Sequence, residues 1–188
     1  MILIDIGGQK NRIDLDRWKI MDIRPGSEYK INLNEFDAFP VRFVDAYYTS
    51  HTLEHVSPLT VEKVLREMYV TLKIGGKLRI VVPDISIGID WYLNSPDKLF
   101  QSQAPTRPIE YPKTPLGFLL SWILTPDKGS MGGHKMAFDW TTLFGYLVKA
   151  GFEHSNITKM KYRKCSEEFV GKDLPRYAEY SLYVEAVK

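Results

Sequence analysis

The stretch that decides the fold begins Val44-Asp45-Ala46-Tyr47-Tyr48-Thr49-Ser50-His51-Thr52-Leu53-Glu54-His55-Val56. It resumes at Leu65-Arg66-Glu67-Met68-Tyr69-Val70-Thr71-Leu72-Lys73-Ile74-Gly75-Gly76 and closes on Lys77-Leu78-Arg79-Ile80-Val81-Val82-Pro83-Asp84. Val44 to Thr49 is rich in β-branched and aromatic residues and reads as a strand. From Ser57 to Leu72 the pattern changes period. Val61, Val64, Leu65, Met68 and Leu72 recur at helical spacing, Ser57 can cap the helix, Pro58 suits its first turn, and Gly75-Gly76 is the expected stop. Lys77 to Val82 then reads as a strand nearly all apolar at its end, as a central parallel strand should be. Strand, helix, strand within some forty residues is one turn of an α/β sheet.

Outward from this unit the same alternation continues. Met1 to Ile6 reads as a first strand ending at Gly7-Gly8, Trp18 to Ile23 as a second stopped by Pro25-Gly26, and Tyr29 to Leu33 as a weaker third. Downstream the pattern loosens from about residue 84 to 133, with Pro96, Pro105, Pro108, Pro112, Pro115 and Pro126. This segment reads as an insertion or lid over the edge of the sheet within a single domain covering 1–188; loops this long in a compact domain are usually functional or disordered. A helix from Asp139 to Ala150 follows, with Asp139 as cap and Gly151 as stop. Ile157 to Tyr162 and Ser181 to Val187 alternate apolar and polar side chains and read as a last, antiparallel pair.

Composition narrows the function classes. The chain has 188 residues, enough to bury a sizeable core, and its 44% hydrophobic and 26% charged residues are those of an ordinary globular protein. A net charge of +2 makes no case for nucleic acid or an anionic membrane, so no nucleic-acid partner is expected. One cysteine, Cys165, excludes an intrachain disulfide and a cysteine-rich metal site, and fits a reducing, cytoplasmic setting. The apolar start Met1-Ile2-Leu3-Ile4 has no basic region and breaks at Asp5, so no signal peptide is expected. The most apolar segment, Pro115 to Pro126, is too short to span a membrane and is expected to form a buried or cleft-covering helix. Of the insertion's aromatics, Trp91, Tyr92, Tyr111, Phe118 and Trp122 could line an acceptor pocket; a small core is the expectation for most of them.

The chemistry starts at two strand ends. A strand ending in glycine beside a strand ending in an acid is the nucleotide-binding arrangement: the glycine lets backbone approach the ligand, and the acid accepts hydrogen bonds from ribose hydroxyls. Asp5-Ile6-Gly7-Gly8 and Met21-Asp22 are those pieces. As an isolated pattern it equally describes a turn glycine pair and a strand-end aspartate.

The Val44–Val56 stretch resembles the fourth-strand motif of class I S-adenosylmethionine (AdoMet)-dependent methyltransferases, and most resembles predicted members whose motif reads S-H-x-L-E-H. Leu65 to Asp84 is similar to the same family, as are His134-Lys135-Met136-Ala137-Phe138-Asp139 and the helix ending Lys149-Ala150-Gly151-Phe152. The resemblance implies a Rossmann-like α/β fold, with a mostly parallel sheet of order 3-2-1-4-5-7-6 and the seventh strand antiparallel. It implies AdoMet as cofactor, held by Asp5, Gly7, Gly8, Asp22, Asn32, Ser50 and His51. Gly7 and Gly8 would face the methionine part, Asp22 the ribose, Asn32 the adenine, and Ser50 with His51 the sulfonium and the acceptor. The sequence departs from the family at Gly7-Gly8-Gln9, where the usual loop reads G-x-G, and in the short span from Gly8 to Asp22, which leaves little room for a first helix. Asn32 replaces the usual aspartate and can still accept from an adenine amino group through its side-chain oxygen.

Four histidines bear on catalysis. His51 is the candidate general base, an imidazole being the side chain that ordinarily titrates near neutrality. His134, after Gly132-Gly133, is the candidate to close over the site as a second catalytic residue. His154 is expected at the surface. His51-Thr52-Leu53-Glu54-His55 also matches the H-x-x-E-H motif of a zinc-protease class. That motif needs a helical context, whereas here it follows a strand. The small-RNA 2'-O-methyltransferases carry E-x-x-E-H here, completed by a later histidine, and bind a divalent metal. By that likeness His51, Glu54, His55 and His134 form an alternative metal set, while the primary reading has no metal.

Taken together, the expected activity is methyl transfer from AdoMet to a small-molecule acceptor, with an oxygen on a glycan or sugar precursor favoured. Two alternatives stay open. One is a catalytically weak or inactive methyltransferase-like subunit of a partner protein or homodimer; the other is a metal-dependent hydrolase.

Overall fold

A computed structural model describes residues 1–8, 16–36, 39–101, 112–125 and 133–188. Seven strands form one sheet in the order β3-β2-β1-β4-β5-β7-β6. They are β1 (Leu3–Ile6), β2 (Trp18–Asp22), β3 (Tyr29–Lys30), β4 (Val44–Ser50), β5 (Leu72–Pro83), β6 (Ile157–Met160) and β7 (Ser181–Val187). The pairs from β3 across to β5 are parallel, and β7 runs antiparallel to both β5 and β6. This is the expected order, with the expected reversed seventh strand.

The period of two along each strand sorts side chains to the two faces. Ile4 and Ile6 of β1, Leu78, Ile80 and Val82 of β5, and Val184 and Ala186 of β7 lie in one core cluster. The helices α1 (Val61–Thr71) and α5 (Trp140–Ala150) cover that face through Val61, Val64, Leu65, Met68, Leu143 and Leu147. Leu3, Trp18, Ala46, Tyr48, Val81 and Tyr183 point the other way and pack with Phe169. Among the described residues that second face is covered by the irregular segment 161–180 rather than by a helix.

Segment 161–180 is held by buried charge. Arg79 of β5 is wholly buried, and its fork donates to Asp173 at 3.0 and 2.6 Å and to Glu185 at 2.7 Å. Burial pushes a guanidinium down, but the Asp173 hydrogen bonds and the Glu185 charge outweigh it and hold Arg79 above its ordinary value. Lys172 makes the second pin. Its ammonium donates to Asp5 at 2.6 Å and lies over the rings of Trp18 and Tyr48.

The insertion contributes α2 (Ile85–Asn94), α3 (Pro96–Gln101) and α4 (Pro115–Ile123). Trp91, Leu99, Phe118, Leu119 and Trp122 form a third cluster between them, so the core expectation holds for three of the aromatics. Tyr92 is partly exposed, and Tyr111 lies outside the described residues. Gly88 makes the packing possible: a Cβ there would sit 3.0 Å from the Trp122 ring.

Three boundaries differ from the expectation, for local reasons. The helix α1 starts at Val61, not Ser57, because Asn34 Oδ1 accepts from Ser57 N at 3.1 Å and from Thr60 Oγ at 2.9 Å and holds 57–60 as a turn. Its stop is Thr71, whose hydroxyl bonds back to the Glu67 carbonyl at 2.7 Å. Gly75-Gly76 instead lies inside β5, where Gly75 takes φ +75 and the register jumps from Val44↔Leu72 to Ala46↔Lys77. Four residues, 73–76, thus stand opposite the single Asp45, and the left-handed glycine lies within this break in register. The helix α5 follows expectation, with Asp139 accepting from Thr142 N and Gly151 at φ +119. The expected shortness of a first helix falls on residues 9–15, outside those described.

Candidate functional site

The direction of the sheet's connections reverses between β1 and β4, so their carboxyl ends diverge and leave a crevice, the usual ligand position in such sheets. Gly7 leaves β1 at φ +72 with its N–H on the Met21 carbonyl at 2.8 Å. It must be glycine twice over, since a Cβ would stand 2.1 Å from Thr52 Oγ. Gly8 follows, packed on Asp5. Asp5 itself is buried, facing the second core cluster and ion-paired with Lys172.

Asp22, at the end of β2, is nearly buried and engaged by Arg24. Arg24 Nε and its backbone N–H each donate to Asp22 Oδ1 at 2.9 Å, and Nη2 donates to Oδ2. The same Nη2 reaches the carbonyls of Gly7 at 3.4 Å and Gly8 at 3.2 Å. The Asp22 hydrogen bond raises the Arg24 pKa above its ordinary value against the smaller opposing effect of burial. Asn32 caps a short 3-10 turn. Its Oδ1, the atom expected for adenine, accepts from Asn34 N at 3.1 Å and Asn34 Nδ2 at 3.3 Å. Both lone pairs of that oxygen are thereby used, and Nδ2 donates to Glu35 Oε1 at 3.4 Å, so the adenine contact expected of Oδ1 is already taken within the turn.

At the end of β4, Ser50 is buried and its Oγ has no hydrogen-bond partner among the described residues. His51 follows at φ +50, a left-handed conformation uncommon for a residue with a side chain. Its N–H is tied to the Val81 carbonyl at 2.8 Å, and its Nε2 lies 2.9 Å from Ser181 Oγ. Its Nδ1 lies 3.5 Å from Glu54 Oε1. Tyr177 stacks on the ring with centroids 3.5 Å apart, and Tyr180 meets it edge-on. A proton on Nδ1, on the Glu54 side, would leave the lone pair on Nε2 toward Ser181, the tautomer a general base requires.

Glu54 and His55 belong to the 3-10 turn Leu53–His55, and His134 comes alongside from the end of the insertion. Glu54, His55 and His134 each bring one ligand atom within 4.8 Å of the others. Three of the four residues of the alternative metal set therefore converge, while His51 is committed to Ser181 and the stack. His154 is exposed, as expected, edge-on to Phe144.

Sequence reasoning missed Arg24, Tyr177, Tyr180 and Ser181. Arg24 had a findable signal, a cation two residues after the expected ribose acid. Tyr177 and Tyr180 sit in a segment with neither period nor motif.

No family profile and no curated protein matches this sequence. Solved structures do. A SAM-dependent methyltransferase from Archaeoglobus fulgidus superimposes with a TM-score of 0.59 at 15% identity, over 99% of this chain and 85% of its own. A SAM-dependent methyltransferase from Thermotoga maritima gives 0.59 at 15% identity, over 100% and 82%. The 1,6-didemethyltoxoflavin-N1-methyltransferase of Burkholderia thailandensis, crystallised with that substrate and S-adenosylhomocysteine, gives 0.54 at 15% identity, over 100% and 70%. The chain thus has the Rossmann-like fold of the class I SAM-dependent methyltransferases.

Proposed function

We propose that this protein, as a single domain, is an AdoMet-dependent methyltransferase acting on a small-molecule acceptor. The observation that carries the reading is the grouping at the β1–β4 crevice of the Asp22 carboxylate, the Gly7–Gly8 carbonyls, the Ser50 hydroxyl and the His51 imidazole. Their chemistry fits the cofactor. Asp22 accepts the ribose hydroxyls, and the two glycine carbonyls, which here accept from the cationic Arg24, suit the α-ammonium of the methionine moiety. Ser50 Oγ brings a buried hydroxyl without a partner among the described residues, and Asn32, once its amide leaves Asn34 and Glu35, would serve the adenine side.

Bound AdoMet supplies a methyl on a sulfonium: the acceptor forms a bond to that carbon as the S–CH3 bond breaks, and S-adenosylhomocysteine leaves. The chain's own part is alignment, exclusion of water and the proton. Once Ser181 Oγ turns aside, His51 Nε2 takes the proton from the acceptor hydroxyl, with Glu54 beside Nδ1 and the Tyr177 stack fixing the ring plane. His134 lies on the segment leading into α5 and helps to close the site. An oxygen of a sugar or glycan precursor is the favoured acceptor, because a hydroxyl needs the base that His51 provides.

One observation favours a second reading. Arg24 already sits on Asp22 and both glycine carbonyls, which suits a methyltransferase-like subunit that binds cofactor weakly or acts through a partner. Calorimetric titration with AdoMet and S-adenosylhomocysteine separates the two. Binding by the wild type that is lost in Asp22→Ala supports the enzyme. No binding at millimolar ligand overturns it in favour of the partner subunit.

A further inference from the structure

Glu54, His55 and His134 are not needed to explain cofactor binding, yet their arrangement is a constructed one. His55 Nδ1 lies 3.1 Å from the Gly133 carbonyl, and His134 Nδ1 lies 3.1 Å from the Trp122 carbonyl. A carbonyl oxygen can only accept, so each Nδ1 carries a proton. Each neutral ring then presents its lone pair at Nε2. Metal-binding histidines are oriented in this way: one nitrogen donates to a carbonyl, which fixes the tautomer and leaves the other nitrogen for the ion. The third member, Glu54, is 1% exposed.

We propose that Glu54, His55 and His134 bind one divalent transition-metal ion. Two imidazoles and one carboxylate make a donor set for zinc or a similar borderline cation, and not for magnesium or calcium, which prefer oxygen throughout. The ligand atoms lie within 4.8 Å of one another. A tetrahedral ion with bonds of about 2.0–2.1 Å brings them to roughly 3.3 Å apart, an adjustment that side-chain rotation supplies. The rings cross edge-to-face, with centroids 4.8 Å apart at 72°, so they do not stack against each other.

The backbone beneath the ligands is fixed. Lys135 and Met136 donate their N–H groups to the Glu54 carbonyl at 2.7 and 3.3 Å, His134 N donates to Thr125 Oγ at 2.6 Å, and Thr125 N donates to the His134 carbonyl at 3.1 Å. The ion joins the turn after β4 to the end of the insertion and pins residues 133–136 beside His51. His51 lies outside the ligand set and meets Glu54 through Nδ1. Among the described residues three protein ligands leave a fourth position open, the pattern of a reactive rather than a closed structural site.

The test needs neither AdoMet nor an acceptor, so its outcome is independent of the methyl-transfer reading. The untagged full chain is stripped with chelator and titrated with zinc, and in parallel with cobalt(II), whose visible absorption reports four-coordinate geometry. One equivalent of zinc is expected, with a tetrahedral cobalt spectrum and a zinc-dependent rise in Tm. His134→Ala and Glu54→Gln, checked for folding by circular dichroism, are expected to weaken zinc binding at least about a hundredfold and to abolish the Tm rise. His154→Ala is the control for adventitious surface binding and should bind like the wild type. Absence of stoichiometric binding overturns the proposal. So does binding that survives His134→Ala, or equal stabilisation by magnesium. Should a variant fail to fold, the cobalt spectrum and stoichiometry of the wild type decide alone.

Discussion

Arg24 and Asp22 form a closed ion pair at the end of β2, with the backbone N–H and Nε of Arg24 on one carboxylate oxygen and Nη2 on the other. A carboxylate offers about four lone-pair positions. Arg24 fills three of them, and a ribose diol needs two. Asp22 therefore accepts a ribose only when Arg24 withdraws.

Removing the guanidinium is thus expected to strengthen cofactor binding. Arg24→Ala should tighten AdoMet binding by about tenfold, the worth of roughly one charge-assisted hydrogen bond. Arg24→Lys should fall between, because an ammonium cannot make the forked contact. Calorimetry reads both. Weaker binding in Arg24→Ala would show instead that Arg24 holds the ligand.

The His51 variant must respect its backbone. Asparagine tolerates the φ of +50 far better than most residues, so His51→Asn removes the imidazole with little strain. Turnover should fall by about 10²–10⁴, while the Kd for AdoMet changes by no more than a few-fold. The measurement is a single-turnover assay with any acceptor the wild type methylates. An unchanged rate would remove His51 as the base.

Gly7→Ala meets two separate penalties. A left-handed φ costs an ordinary L-residue about 1–2 kcal/mol, and the new Cβ stands 2.1 Å from Thr52 Oγ. A total loss of about 2–4 kcal/mol is expected in urea denaturation. Thr52→Ala in the same chain should recover the steric part and leave the backbone part. The double-mutant cycle separates the two.

Arg79→Met leaves Asp173 and Glu185 as buried carboxylates without their shared cation. The expected cost is about 3–5 kcal/mol in denaturant unfolding. The loss should be local first. Amide exchange ought to accelerate across 161–180, and turnover should drop with it, because Tyr177 and Tyr180 of that segment brace the His51 ring.

The parts legible in the sequence are those written in local pattern. The alternation of apolar residues marked five of the seven strands within a residue or two, left the two-residue β3 overlong, and missed the first five residues of β5. Asp139 and Gly151 announced both ends of α5, because a cap and a left-handed stop depend on their own side chain and backbone alone. The Ser50–His55 run pointed to the crevice because it sits where a central parallel strand ends. Local pattern misled where a distant atom intervened. Asn34 converts the expected first turn of α1 into a separate turn, and the expected helix-stopping glycines lie in a break of register that arises only from pairing with β4 and with Lys188 at the end of the chain.

The sequence by itself determined the α/β class, the order of elements and the strand-end residues Gly7, Asp22 and His51, because periodicity and chain order belong to the chain before it folds. Tertiary structure decided what those residues meet. It set Arg24 across Asp22, brought Lys172 under Asp5, and drew Tyr177 and Ser181 to His51 from more than a hundred residues away. It also gathered Glu54, His55 and His134 while leaving His51 outside the group. The long-range contacts among them, Lys172 with Asp5, Tyr177 and Ser181 with His51, and His134 with Glu54 and His55, follow from burial and charge compensation across the whole sheet, and no short window of sequence contains both partners.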